Sequence, residues 1–340
     1  MSARLAILAT GLVTSVGLYA PAACAAIRAS VSNPTESGFL NSAGEWISVH
    51  EVPLEQPWRG RVRLVKMAAM AVAECLAGVS RDVWRQIPLL VCVAERERPG
   101  RTPGLEGELL AEIQQEVGAQ FSPGSLTIPL GRVATANALQ EARRLLGEDG
   151  ERLAVIVATD SLLSGPTLGA FDREGRLLDA GNSNGFIPGE GAGALLVGRT
   201  NGPDQLCCSG LGFATEAAYI ASGRPLRGDG LTQAIKAAVR DAGCGLQELD
   251  FRITDLSGEH YYFKEAALAL GRALRVRKPE FEMWQPGTSI GESGALAGVV
   301  AIAVADAACR KGYSPGPGVL LHLAADAGQR AAAVLQFGVS

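Results

Sequence analysis

Histidine is scarce in this 340-residue chain, limited to His50, His260 and His322, and no two cysteines form a CxxC pair. Without imidazoles or thiolates at ligand spacing there is no candidate metal site, and no metal or other cofactor is expected. Basic charge is not in excess either: 31 Lys and Arg stand against 35 Asp and Glu, a formal net charge of −4. That balance offers no field for nucleic acid or anionic lipid. No stretch reaches the roughly 18 uninterrupted apolar residues that a membrane span needs, so neither nucleic acid nor membrane is an expected partner. Aromatic residues make up 5%, whereas glycine occurs 42 times and 47% of the residues are hydrophobic. This is material for a globular core with close helix–sheet packing and sharp turns, as in a layered α/β protein. The seven cysteines (Cys24, Cys75, Cys92, Cys207, Cys208, Cys244, Cys309) are odd in number, scattered and mostly flanked by apolar residues. They fit buried, reduced thiols and a cytoplasmic protein better than a disulfide framework.

Arg4, the apolar run after it and APAACAA have the order of a secretory signal. Gly11, Thr14, Ser15 and Gly17 interrupt that run, and Pro21 stands where a lipoprotein-type signal has a large aliphatic residue. The segment reads instead as a buried strand over 5–9, a turn at Thr10 and Gly11, and a helix over 19–29. Farther on, residues 62–78 keep helical spacing, 88–95 form a buried strand, and the charged, Pro- and Gly-rich stretch 95–107 reads as a surface loop. A helix over 108–117, a strand over 125–130 limited by Pro129, a helix over 138–148 and a strand over 153–160 follow. The second half repeats the grammar, with strands at 206–214, 251–257, 318–326 and 331–338 and helices at 231–243, 264–274 and 297–309. Buried strands alternating with amphipathic helices predict α/β packing with helices on both sheet faces. The shared element order suggests two similar halves, 1–200 and 201–340, joined near residues 200–205. Residues 44–60, with Trp46 and Trp58, read as an irregular loop of little secondary structure and a candidate partner surface.

The most specific segment is NGFIPGEGAGALLVG, residues 184–198. Its glycines at 185, 189, 191 and 193 permit close backbone crossing and run into a strand, unlike the strand-to-helix GxGxxG of dinucleotide sites. Glu190 between glycines reads as a structural carboxylate that accepts backbone N–H bonds. The segment resembles the DGFxxGEGAG signature of β-ketoacyl synthases through Gly185, Phe186, Gly189, Glu190, Gly191 and Gly193, with Asn184 in place of the usual aspartate. Residues 6–17 resemble that family's opening strand and turn, 230–243 the helix before its first catalytic histidine, 264–270 the Glu-containing helix after it, and 288–302 the segment carrying the second. The resemblance covers nearly the whole chain. It implies a thiolase-like fold, two halves forming a five-layer αβαβα sandwich, in a homodimer with residues 125–130 near the dimer edge.

Condensation in that family needs a thiolate, a proton-transferring histidine and an oxyanion-stabilising histidine. Residues 131–138 contain no cysteine: ungapped alignment puts Arg132 at the nucleophile position, and a shifted one offers only Thr135. Ser257 stands for the first histidine, with His260 three residues later. Glu292 stands for the second, Gly287 for the lysine before it, and Asp326 for the aromatic gate of the terminal loop. If these positions converge, Arg132 and Glu292 would form a buried ion pair that plugs the pocket, and the guanidinium would hold the Glu292 pKa low, unsuited to a base. The resemblance thus implies a catalytically silent homologue, a binding or assembly protein. Residues 46–60 and the missing triad also resemble the ketosynthase-like proteins encoded beside type VI secretion genes, which implies a secretion effector or spike-tip protein as partner. The alternative is an acyltransferase-like enzyme that keeps acyl-CoA or acyl-carrier binding, or a silent ketosynthase partner subunit similar to a chain-length factor. A weaker competing motif is GTSIG at 287–291, a GxSxG pattern that would make Ser289 a hydrolase nucleophile followed by Asp306 and His322. Asp306 falls mid-helix rather than after a strand, and His50 and His322 read as structural residues.

Overall fold

The computed structural model describes residues 4–148 and 152–338. Its first strand, β1 (Leu5–Val13), turns Leu5, Ile7 and Leu12 to one apolar layer and Val13 to another. A bulge between Ile7 and Ala9 makes the odd-to-even switch. The turn expected at Thr10 and Gly11 is therefore absent, and the strand continues through it. Gly11 serves a close approach instead: a Cβ there would stand 2.1 Å from the Ala71 carbonyl oxygen of the helix laid across the strand.

After β1 come α1 (Ala20–Arg28), opened by Pro21 in its first turn, and a hairpin of β2 (Thr35–Leu40) and β3 (Trp46–Val49). The hairpin corrects the expectation of an irregular stretch from 44. Its β2 strand is largely exposed, so no hydrophobic alternation announces it. The chain continues through α2 (Gly60–Cys75), β4 (Leu89–Cys92), α3 (Leu109–Val117), β5 (Leu126–Ile128), α4 (Ala134–Glu148), β6 (Leu153–Ser161), α5 (Gly165–Arg173) and β7 (Glu190–Gly198). Strand β5 stops just before Pro129, which could not donate to the ladder. Helix α5 is an addition to the expected elements, although Ser164 caps it by accepting the Thr167 N–H at 3.3 Å and Pro166 follows in the first turn. The second half comprises β8 (Leu206–Thr215), α6 (Asp229–Ala242), β9 (Phe251–Thr254), α7 (His260–Ala273), β10 (Met283–Trp284), α8 (Gly287–Ile290), α9 (Ala297–Arg310), β11 (Gly318–Ala324) and β12 (Gln329–Phe337).

Ten strands hydrogen-bond in the order β10-β9-β11-β12-β8-β1-β7-β6-β4-β5. Outward from the middle, β1-β7-β6-β4-β5 and β8-β12-β11-β9-β10 share one order and one set of directions, two antiparallel pairings followed by two parallel ones. They join where Leu5, Ala6 and Ile7 pair with Cys208, Cys207 and Leu206. Helices α2 and α3 cover the outer face of the first set, α6 and α7 that of the second. The buried helices α4 and α9 lie between, each packed on both sets, so the layers run helix, sheet, helix, sheet, helix. No helix among the described residues is long and apolar enough to cross a membrane.

Candidate functional site

Helices α4 and α9 begin side by side in the middle layer, each entered through one turn of 3-10 helix at residues 131–133 and 294–296. A helix N-terminus favours negative charge, yet the first of these turns presents a guanidinium. Arg132 is only 7% exposed, and acceptors from the second half neutralise it. Its Nη2 donates to the Tyr262 hydroxyl at 2.6 Å and to Asp326 Oδ1, its Nη1 to Glu292 Oε2 at 3.3 Å, and Asp255 lies 4.0 Å from Nε. The guanidinium also stacks 4.4 Å from the Tyr262 ring centre.

Each acceptor is held by something else. Ser257 Oγ donates to Glu292 Oε2 at 2.7 Å, and the Gly294 N–H to Glu292 Oε1 at 3.0 Å. The other Asp326 oxygen takes Arg176 Nη1 at 2.6 Å, and Arg176 makes a bidentate pair with Glu259 at 2.8 Å on both arms. Arg98 donates to Glu95 at 2.6 Å and to Asp160 at 2.7 Å, while Asp160 accepts the Ala295 N–H at 2.8 Å, at the start of α9. Glu174 lies 3.8 Å from Arg176 as well, so three guanidiniums face seven carboxyl groups. The stretch at 95–107, expected as a surface loop, sends Arg98 inward to 7% exposure.

Burial raises Asp255 to a pKa of about 7 despite the pull of Arg132. Burial likewise outweighs Arg132 at Glu292, whose pKa is raised. This overturns the expectation that the neighbouring arginine would hold it low: desolvation in a closed cleft exceeds the attraction of a guanidinium shared among several acceptors. At Asp326 burial also works against the charge, but Arg132 and Arg176 together prevail and hold that carboxyl well below its ordinary value. The space left between these side chains, Phe171 and Phe186 is about 20 Å³, room for about one water.

Arg132, Ser257, Glu292 and Asp326 thus come together. Thr135 does not: it is buried against Gly298 of α9, and its Oγ1 has no hydrogen-bond partner. His260 is exposed at the start of α7, where its backbone N–H donates to Asn184 Oδ1 at 2.8 Å. Among the described residues that line the cleft there is neither cysteine nor histidine. Cys24 lies buried on α1 with its Sγ 3.7 Å from the Ala303 carbonyl, and burial pushes its pKa up to about 12. An arginine cannot deprotonate to become a nucleophile, and about 20 Å³ leaves no room for an acyl chain in the cleft beside it.

The glycine-rich segment frames this cluster. A Cβ on Gly189 would stand 2.2 Å from the Ile290 carbonyl oxygen, and its N–H donates to the Glu292 carbonyl at 2.8 Å, fixing the turn that carries Glu292. Gly185, Gly191 and Gly193 likewise meet Leu177, Val13 and Val299 at close range. Glu190 is fully buried and accepts the Val52 N–H at 3.0 Å as a structural carboxylate would, but also Ser161 Oγ and Arg63 Nε, each at 2.9 Å. Phe186 packs edge-on against Phe171, 5.1 Å between centres, beneath Arg176. Of the residues missed from the sequence, Arg63, Arg176 and Tyr262 are partners of residues that were found, whereas Arg98, Asp160 and Glu259 pair with residues that were missed as well. Their only signal was unpaired charge near apolar runs.

The competing hydrolase motif does not assemble. Ser289 sits in the four-residue α8 instead of on a strand-to-helix elbow, and Asp306 gives both oxygens to Arg310 Nε at 2.8 and 2.9 Å. No hydrogen bond among the described residues links Ser289, Asp306 and His322.

No protein-family model matches the chain. A protein described as polyketide beta-ketoacyl synthase 2 of Streptomyces coelicolor is 31% identical over 137 residues, 38% of this chain and 32% of the relative. Its counterpart from Streptomyces cyaneus is 31% identical over 126 residues, 36% of this chain and 30% of the relative. The match thus spans about a third of these relatives' length. Solved structures align over far more. The ishigamide ketosynthase/chain length factor superposes with a TM-score of 0.79 at 18% identity, covering 99% of this chain and 100% of that one. A ketosynthase in complex with its chain length factor from Xenorhabdus doucetiae gives 0.79 at 14% identity over 98% of both chains. A type II polyketide ketosynthase in complex with its acyl-carrier protein gives 0.82 at 14% identity over 99% and 100%. With two five-stranded sets of identical order about a buried pair of helices, the chain is a thiolase-fold protein built like the ketosynthases and chain length factors.

Proposed function

We propose that this protein is a non-condensing member of the ketosynthase-like proteins that works as a silent partner subunit, binding another thiolase-fold chain rather than catalysing carbon–carbon bond formation. One observation carries the reading: Arg132, the residue that the family resemblance aligns with the condensing thiolate, is tied to Asp326, Tyr262 and Glu292 in a cleft with about 20 Å³ to spare. Breaking a buried ion pair from one side is strongly destabilising, which supports the plug as part of the folded structure. Support for a partner role comes from neighbours whose own descriptions pair a ketosynthase with a chain length factor.

Intact-mass spectrometry after incubation with acetyl-CoA, malonyl-CoA and acyl-loaded carrier protein tests the silent cleft. No added mass is expected, and a stable acyl adduct would overturn the reading. Affinity purification from the native host tests the partner: a second ketosynthase-fold chain is expected. Recovery of a secretion spike or effector protein instead would move the role to secretion, and recovery of this chain alone would refute a heteromeric role.

A further inference from the structure

Away from the plugged cleft, and sharing no lining residue with it, a half-open groove of about 490 Å³ lies between the end of α1, strand β10 and the far end of α9. That volume is within the usual range for small-molecule sites. Its wall is a run of stacked side chains that climbs from the core to solvent. Phe251 packs on Trp284 with 4.5 Å between ring centres, Trp284 lies near-parallel (21°) to Tyr313 at 6.4 Å, and the Arg28 guanidinium caps the Tyr313 ring at 3.9 Å. The indole is oriented by its Nε1–H, which donates to Glu282 at 3.1 Å. Met283 and Val304 supply the apolar floor.

Two features make this more than an indentation. Arg28 is exposed, and among the described residues it has no carboxylate partner, in a molecule where Arg98, Arg132 and Arg176 are each bound by acids. Ser30, two residues on and also lining the groove, is the one non-glycine among the described residues at positive φ, +55°. A left-handed serine is a strained conformation of the kind concentrated at ligand sites.

We propose that this groove binds a planar aromatic acid, its rings laid along Trp284 and Tyr313 and its carboxylate on Arg28. The aromatic faces select a flat ring system over a flexible chain, and the uncompensated guanidinium selects a carboxylate over a neutral group. The site is independent of the plugged cleft, so its success or failure leaves the silent-partner reading where it stands.

The test is calorimetric titration of the full chain with 2-naphthoate, with 2-naphthalenemethanol as the uncharged analogue. Saturable binding of one naphthoate per chain is expected, with the alcohol at least about tenfold weaker, the equivalent of one charged contact. Arg28→Gln, on an exposed side chain, should weaken naphthoate by a similar factor and leave the alcohol unchanged. Thr288→Trp, which fills the groove from its exposed rim, should abolish both, with circular dichroism confirming the fold. Absence of saturation up to millimolar naphthoate, or equal binding to the Arg28→Gln protein, would overturn the assignment.

Discussion

Replacing Arg132 by methionine removes charge but keeps most of the side-chain volume, so it isolates what the guanidinium does in the middle layer. In the intact protein Arg132 serves Asp326, Tyr262 and Glu292 directly and stands 4.0 Å from Asp255. The variant leaves Asp326 with Arg176 and the Tyr262 hydroxyl, and Glu292 with only Ser257 and the Gly294 N–H. Breaking a buried pair from one side costs about 3–5 kcal/mol, a large part of the roughly 5–15 kcal/mol that keeps most proteins folded. The loss must depend on pH. Asp255 and Glu292 already have folded pKa values above their unfolded ones, so the folded state gains from protonating them. Without Arg132 both rise further, so the penalty is larger at pH 8, above the Asp255 value of about 7, than at pH 5, below it. Urea unfolding of the wild type and of Arg132→Met at both pH values measures this. Adding Glu292→Leu should recover part of the pH 8 loss, because the stranded charge goes with it. A loss under about 1 kcal/mol at pH 8, or an equal loss at both pH values, would refute the account of Arg132 as the counter-ion of a desolvated acid cluster.

Other outcomes follow from the same contacts. Because Asp255 has a folded pKa of about 7 against an unfolded value of ~3.9, its contribution is full below the unfolded value and is lost as pH rises through 7; Asp255→Asn should flatten that segment of the urea-midpoint profile. Arg63→Met strands Glu190, which is fully buried, and should lower stability by about 3–5 kcal/mol, read as a drop in melting temperature. Gly189→Ala places a methyl 2.2 Å from the Ile290 carbonyl and should destabilise the fold and displace the turn bearing Glu292, seen as lost amide-exchange protection there. Of the seven cysteines only Cys244 is partly exposed, and burial raises its pKa, so in native protein one thiol should react with Ellman's reagent, slowly but ahead of the rest, and all of them after unfolding.

The layered fold was legible because its strands are buried on both faces: β6 and β7 are nearly continuous apolar runs, a pattern few other structures tolerate. Polar, exposed β2 offered no such run, and its pairing rests on backbone bonds that carry no side-chain signature. Helix α5 has a readable start in Ser164 and Pro166, but its nine residues make a weak periodic signal. At the candidate site, positions aligned to a known motif and the Arg132–Glu292 pair were found, and the further counter-ions were not. Arg98 and Asp160 are 62 residues apart, and a charge-rich stretch such as 95–107 reads as solvated until the partner that buries it is located. The direction of the Glu292 pKa escaped the sequence for a related reason. Proximity of an arginine can be inferred from alignment, but the completeness of water's exclusion cannot.

Strand β1 sits at the centre of the ten-stranded sheet, bonded on one side to residues 192–198 and on the other to residues 206–208. During synthesis β1 must therefore wait for roughly two hundred more residues before either of its edges is satisfied, and separations of that length slow folding. A chain cut at the loop between β7 and β8 would leave one flank of β1 open at Leu5–Ile7 and its central helix α4 stripped of half its cover. Such a fragment invites edge-to-edge association, so this protein should be expressed whole and slowly, at low temperature, and its two topological twins should not be handled as separable parts.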